Sequence, residues 1–261
     1  PLTVALLCLL FVAGRYWVLA RPIVLSLVFV AVFLWALERF KRDGRRFPLL
    51  LLPLVQLLWS NTQALFILGP LIFLCVLCGE GLSHLAARFK IPGFLAERNL
   101  PASALARLLR VFALVVIACL LTPYGLEGLA LPFKLLGRID PAYGQLFAYN
   151  ISENLPAWML ERSGAHPVAG FKWIAVLTFA SFLLHLRRIS LSRLLLTSAV
   201  FFLALLANRN VLLFCLVAGP VALINVASPS ERRGFFGRLL HCPVLAVVVV
   251  GVLSLPLGST A

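Results

Sequence analysis

Residues 47–78 read FPLLLLPLVQLLWSNTQALFILGPLIFLCVLC, and the fold turns on whether this run is one helix or two. As a single helix its 32 residues would extend ~48 Å, against a hydrocarbon core ~30 Å thick. The polar tetrapeptide Ser60-Asn61-Thr62-Gln63 interrupts it just after Trp59. Two helices meeting at that turn fit a bilayer; one does not.

Outward from this stretch the same texture repeats. Apolar runs occupy residues 2–13, 23–37, 47–59, 64–78, 109–121, 171–186, 194–207, 211–226 and 243–257. The chain of 261 residues is 62% apolar and 12% charged, where soluble domains carry about a quarter charged residues. A water-soluble fold could not hide so much apolar surface, so lipid is the expected solvent. The expected fold class is all-α: a polytopic transmembrane helix bundle of about nine segments, some short or broken. Residues 1–261 read as a single transmembrane domain. Pro1 opens inside an apolar run and the only methionine is Met159, so the sequence reads as a piece of a longer chain.

Lys and Arg set orientation. The connections 39–46, 81–110, 185–193 and 228–241 carry sixteen of the 23 basic residues, and the opposite set (14–21, 60–63, 122–172 and 208–210) carries seven. Fusing residues 47–78 into one helix would invert the later connections and leave ten inside against thirteen outside. The basic-rich set is therefore expected on the cytoplasmic side of a cell (inner) membrane, with the long 122–172 loop on the non-cytoplasmic side. Net charge of +14 would point to nucleic acid in a soluble protein. Here it sits between spans and meets anionic headgroups instead, so the expected partner is the lipid bilayer and not nucleic acid. Residues 81–110, broken by Pro92-Gly93 and Pro101, read as short amphipathic pieces on the cytoplasmic surface.

The candidate chemistry gathers on the outer side. The basic blocks of the inner face are explained by orientation alone, whereas Glu127, Asp140, Glu153 and Glu161 share the 122–172 loop with Tyr124, Trp158 and His166. Glu153 is the candidate general base or metal ligand, the alternative being a solvated loop carboxylate. Trp158 is placed to stack on a sugar or to anchor at the interface. Asp140, beside Pro141, reads as a helix-start residue, and Thr122-Pro123-Tyr124-Gly125 as a turn. Asn150-Ile151-Ser152 matches the N-glycosylation pattern.

Two short polar turns complete the set. Trp59–Gln63 either lines an outward cavity with hydrogen-bonding groups or is an interfacial turn with Trp59 as a belt aromatic. Asn208-Arg209-Asn210 joins two apolar helices with almost no loop, and its arginine suits phosphate or carboxylate recognition; the alternative is a snorkelling side chain. Cys75 and Cys78 form a C-x-x-C without further ligands nearby and read as packing residues. The four histidines lack metal-ligand spacing, and no phosphate-binding glycine loop, H-E-x-x-H or nucleophile elbow occurs.

The order of these pieces is itself informative. Arg21-Pro22 with Ser26 opens a span; a basic turn precedes Trp59-x-Asn61-x-Gln63; Pro123-Tyr124-Gly125 follows a span. Then come Ile151 through Trp158 in the outer loop and Arg209-Asn210-x-x-Leu213-Phe214 with Pro220. In this order the sequence resembles the bacterial multi-spanning proteins allied to GT-C type glycosyltransferases, a group that includes protein mannosyltransferases and lipid-A sugar transferases. Many of its members have no assigned activity. The resemblance implies transfer of a sugar from a polyprenyl-phosphate donor to an acceptor on the outer membrane face. Arg209 and Arg21 would hold the donor phosphate, with a divalent metal as a possible aid. Asn61 and Gln63 would line the lipid-to-water cavity, and Trp158 with Tyr124 would contact sugar or acceptor. The chain departs from the pattern at Gln63-Ala64, where a His-Gly pair is expected, and at Thr122, where an Asn is. The acidic pair expected in an early outer loop would have to lie upstream of Pro1.

Other functions use similar parts. A transporter or permease also places polar turns and a lone arginine at membrane depth, but with inverted repeats and charges within several spans. A non-catalytic envelope membrane protein needs none of this chemistry, and an O-antigen-type ligase or polymerase also pairs outer arginines with a long outer loop.

Overall fold

The computed structural model describes residues 23–89, 100–139, 154–162, 169–183 and 190–226. Among the described residues every regular element is helical. The chain divides into two compact units, Leu25–Gly144 with Leu186–Leu196, and Gln145–His185 with Thr197–Ala261 and Pro1–Val24.

In the first unit, α1 (Ile23–Asp43) stops at Gly44, whose φ of +68° is the left-handed cap that glycine adopts most readily. The Gly44 N–H closes the helix on the Phe40 carbonyl at 2.9 Å. α2 (Arg46–Ser60) follows at once and carries Pro53 in its interior. A 3-10 turn, Ala64–Ile67, then leads directly into α3 (Leu68–Arg88). α4 (Ala102–Leu120) packs along both α2 and α3, and α5 (Gly125–Ile139) returns against the end of α4 and the 3-10 turn.

The second unit holds α6 (Ala157–Arg162), α7 (Ala169–Leu183), most of α8 (Leu191–Leu206) and α9 (Val211–Val226). α9 packs on α7. Phe171, Phe201 and Phe214, one from each of these last three helices, lie with ring centroids 5.5–5.9 Å apart. Such aromatic contacts add to the area they bury.

The exterior is apolar as well as the core, and several polar side chains lie inside. On α2, Leu50, Leu54 and Leu58 form an exposed stripe at helical spacing, with Leu54 64% exposed, while Gln56 is 0% exposed in the core. In the second unit Trp173, Val176 and Phe202 face outward while Thr178, Ser181, Thr197 and Asn225 are buried. Water would reverse that arrangement; lipid tolerates it, because an apolar exterior costs nothing there and polar groups must find partners within the protein. Asn225 Nδ2 accordingly donates to Ser181 Oγ at 3.0 Å, and Ser181 Oγ to the Thr178 carbonyl at 2.6 Å.

Among the described residues three stretches, Ala64–Arg88, Ala102–Leu120 and Asn208–Val226, are long and apolar enough to cross a membrane. The described parts of seven expected spans fall on helices; residues 184–186 of one of them, and the spans 2–13 and 243–257, lie outside the described residues.

Three expectations need correction. Residues 81–88 and 102–110 are not separate surface pieces but continuations of α3 and α4. α3 runs on because Gly79, Glu80, Ser83 and Ala86 make a buried face, and Ser83 Oγ returns its hydrogen bond to the Gly79 carbonyl at 2.8 Å. The 122–172 segment is no simple loop, since it contains α5 and α6, and Lys172 lies within α7. Trp59 is no belt aromatic, for it is fully buried.

Candidate functional site

The Trp59–Gln63 turn forms because α2 runs out of apolar residues at Ser60 and its last carbonyls need donors. The N–H groups of Thr62 and Gln63 both reach the Trp59 carbonyl at 3.0 Å. Side chains supply the rest. Asn61 Nδ2 donates to the Leu57 carbonyl at 2.8 Å and to the Leu121 carbonyl at 3.3 Å. Ser60 Oγ serves the Leu57 carbonyl at 3.1 Å and the Ala118 carbonyl at 3.3 Å. These bonds tie the end of α2 to the end of α4. Asn61 is thus occupied in capping two helices while its side chain stays exposed.

Behind the turn, Trp59 packs against Phe29 (5.3 Å between ring centroids) and Phe33 (5.9 Å). Its indole N–H donates to Ser26 Oγ at 3.0 Å, and the Ser26 hydroxyl reaches Gln63 Oε1 at 3.5 Å. Ser26, Trp59 and Gln63, three of the residues singled out in the sequence, therefore form one chain of contacts. One turn deeper, Gln56 Nε2 bridges the Phe66 carbonyl (3.0 Å) and Cys119 Sγ (3.2 Å). Gly69 leaves room for it, since a Cβ there would fall 2.0 Å from Gln56 Oε1. Tyr124 stands exposed at the turn into α5, where the Gly125 N–H meets the Thr122 carbonyl at 3.0 Å.

In the second unit Asn208-Arg209-Asn210 is a single 3-10 turn entered through extended Ala207. Asn210 Nδ2 caps α8 by donating to the Leu203 carbonyl at 2.9 Å. The buried Asn208 donates its backbone N–H to the Leu155 carbonyl at 2.9 Å. That bond fastens the arginine turn to the segment leading into α6, so two separately noted stretches share one end of this unit. Arg209 is half-buried there. Trp158, on α6, is part-exposed, with the Arg162 guanidinium 5.3 Å from its ring centroid, a cation–π contact. Arg21, Asp140, Glu153 and His166 lie outside the described residues. Among the described residues no group of three or more His, Cys, Asp or Glu side chains could hold a metal ion.

Sequence reasoning missed a second constellation, at the other end of the first unit's α1. Lys41 Nζ lies 2.7 Å from Glu80 Oε1 and donates to Ser192 Oγ at 2.6 Å; the Ser192 hydroxyl donates to Glu80 Oε1 at 2.9 Å. Arg193 pairs with Glu38 through Nε (3.3 Å) and Nη2 (3.4 Å). Burial alone would raise the Glu38 carboxyl, but Arg193 and then Lys41 outweigh it and bring it from 4.5 to about 2. Asp43, exposed at the end of α1, is held below its ordinary range chiefly by its bond from Arg42. The charges here are thus not merely basic blocks that orient the chain. The available signal was Glu80 itself, an acid set between Gly79 and Gly81 at the end of an apolar run.

Compared with protein-family models, curated proteins and solved structures, the chain matches none.

Proposed function

We propose that the chain is a membrane-embedded helical domain of a GT-C-like glycosyltransferase, moving a sugar from a polyprenyl-phosphate donor on the non-cytoplasmic face of the cell membrane. About nine membrane segments and the outward placement of residues 122–172 belong to this reading. The large apolar side chains exposed on both units support residence in lipid. The observation that carries the transferase reading is the Arg209 turn. A half-buried arginine sits on a one-turn connector between two apolar helices, pinned by the Asn208–Leu155 bond to the segment bearing Trp158. A guanidinium carried on a turn anchored in this way suits, at the edge of the bilayer, a phosphate whose negative charge grows as the glycosidic bond breaks. Trp158 then offers a ring face to sugar or acceptor. Arg21, Asn61, Gln63 and Tyr124 keep the binding roles the resemblance gives them, and Glu153 is the candidate general base within this sequence.

The test is sugar transfer by the full-length protein in proteoliposomes, with a labelled polyprenyl-phosphate sugar as donor. Arg209→Ala should lower the rate by about a hundredfold or more, the scale of losing one preorganised donor to a developing charge. An unchanged rate in Arg209→Ala would remove the phosphate role.

A second reading, a transporter, is favoured by one observation. Glu80 lies buried within the candidate span Ala64–Arg88 and is paired with Lys41, and ionisable groups at such depth often mark ion pathways. Solute flux abolished by Glu80→Gln, in a protein without sugar transfer, would decide for it.

A further inference from the structure

We propose that α5 is an interfacial helix that seats one flank in the bilayer surface beside the end of α4. The inference rests on the membrane reading but not on transferase chemistry. α4 is long and apolar enough to cross a membrane, and α5 begins five residues after α4 ends, so its first turn stands at the boundary where α4 emerges. Helical spacing divides α5 into three strips. Gly128 and Pro132 form the strip turned toward the unit. A Cβ on Gly128 would fall 2.8 Å from Thr122 Oγ1, and Pro132 is buried. Glu127 and Lys134, seven residues apart, form an exposed charged strip on the far side.

Between these strips, on one flank, lie Leu126 and Phe133, 75% and 59% exposed. Two large apolar side chains so open to water would be costly, each worth about 1.5–3 kcal/mol when fully buried. Leu114 and Ile117 on α4, and Leu121 just past its end, are exposed as well, and they face lipid if α4 spans the bilayer. Tyr124, also exposed, stands at the join, an amphipathic ring at headgroup depth. Leu131 sits on the opposite flank of the charged strip and is assigned to water; single exposed leucines are ordinary. The occupant of the Leu126–Phe133 flank is therefore the lipid surface, with Lys134 at the level of the headgroup phosphates.

The test uses spin labels on single cysteines at positions 126, 133, 131, 134 and 114 in the full chain, read against the labelled unsubstituted protein in anionic-lipid vesicles. Collision with oxygen reports lipid, and collision with a water-soluble nickel chelate reports solvent. Labels on Leu126→Cys and Phe133→Cys should favour oxygen several-fold, like Leu114→Cys on α4, while Leu131→Cys and Lys134→Cys favour the chelate. If 114 reports lipid but 126 and 133 report water, or are shielded from both probes, the interfacial helix is wrong and the membrane reading stands. If 114 itself reports water, the membrane reading fails and the proposal goes with it.

Discussion

The ammonium of Lys41 lies 2.7 Å from Oε1 of Glu80, with the two side chains only 12% and 4% exposed. The pair joins α1 to α3, and Ser192 bonds to both partners from the start of α8. Removing Glu80 leaves the buried Lys41 with only the more distant Glu38 carboxylate, at 3.9 Å, to offset its charge, whereas removing both partners leaves no such charge. Glu80→Ala should therefore cost about 3–5 kcal/mol, and Lys41→Met with Glu80→Leu should recover much of that loss. Thermal unfolding in detergent measures both. A double variant no more stable than Glu80→Ala alone would show that the pair does not carry the contact.

Gly79 and Gly81 look alike in the sequence, yet they should respond to alanine in opposite directions. A Cβ on Gly79 would fall 2.2 Å from the Cα of Ser192, backbone that cannot move aside cheaply, while a Cβ on Gly81 meets nothing within 4 Å. Helix propensity favours alanine over an interior glycine by about 1 kcal/mol. Gly81→Ala should thus raise the melting temperature. In Gly79→Ala the clash outweighs propensity and stability falls. Equal melting temperatures for the two variants would contradict the close approach of α3 and α8.

Acid should loosen the other half of the same cluster. Because Glu38 titrates near 2 in the folded chain instead of 4.5, its pairing with Arg193 stabilises the fold fully above pH 4.5. That contribution fades as pH falls and is gone below about 2. Glu38→Gln removes the ionisable group. The gap in melting temperature between parent and Glu38→Gln should be constant above pH 4.5 and narrow below it. A gap unchanged through that acid window would mean that Glu38 gains nothing from Arg193.

How much of this was legible in advance depends on the range of the interaction. The break at Ser60–Gln63 and the one-turn connector at Asn208–Asn210 follow from local pattern, a polar interruption between apolar runs, and both stand. The course of α3 through Arg88 was hidden because Gly81, Glu80 and Arg88 suggest a surface when read without their partners. Lys41 and Ser192, which make Glu80 a buried residue, are remote in sequence, and no local period announces them. The place of Trp59 was left open for the same reason. Its neighbours Ser26, Phe29 and Phe33 belong to another helix, and only their packing separates a core tryptophan from an interfacial one.

That tryptophan gives a direct test of the polar turn. Its indole N–H is buried and bonded to Ser26 Oγ. Ser26→Ala leaves the donor dry and unpaired, at a cost of about 1–3 kcal/mol. Ser26→Thr retains the hydroxyl and should lose less if the extra methyl fits. Melting temperatures of the two variants check the order, and a Ser26→Ala protein as stable as the parent would mean that water reaches the indole.

Orientation can be tested without any assay of function. Lys and Arg predominate in the connections that include residues 39–46, and a membrane potential with anionic inner-leaflet lipid retains such segments on the cytoplasmic side. Arg42 lies at the exposed end of α1, where it pairs with the exposed Asp43 through Nε at 2.9 Å and Nη2 at 3.2 Å, so a cysteine there is reachable from its own side of the membrane. Gln145 belongs to the 122–172 segment assigned to the opposite side. In intact cells a membrane-impermeant thiol reagent should label Gln145→Cys and spare Arg42→Cys until the membrane is opened. The reverse pattern would place Arg209 and Trp158 toward the cytosol, away from any donor presented at the outer surface, and the transferase reading would fall with its orientation.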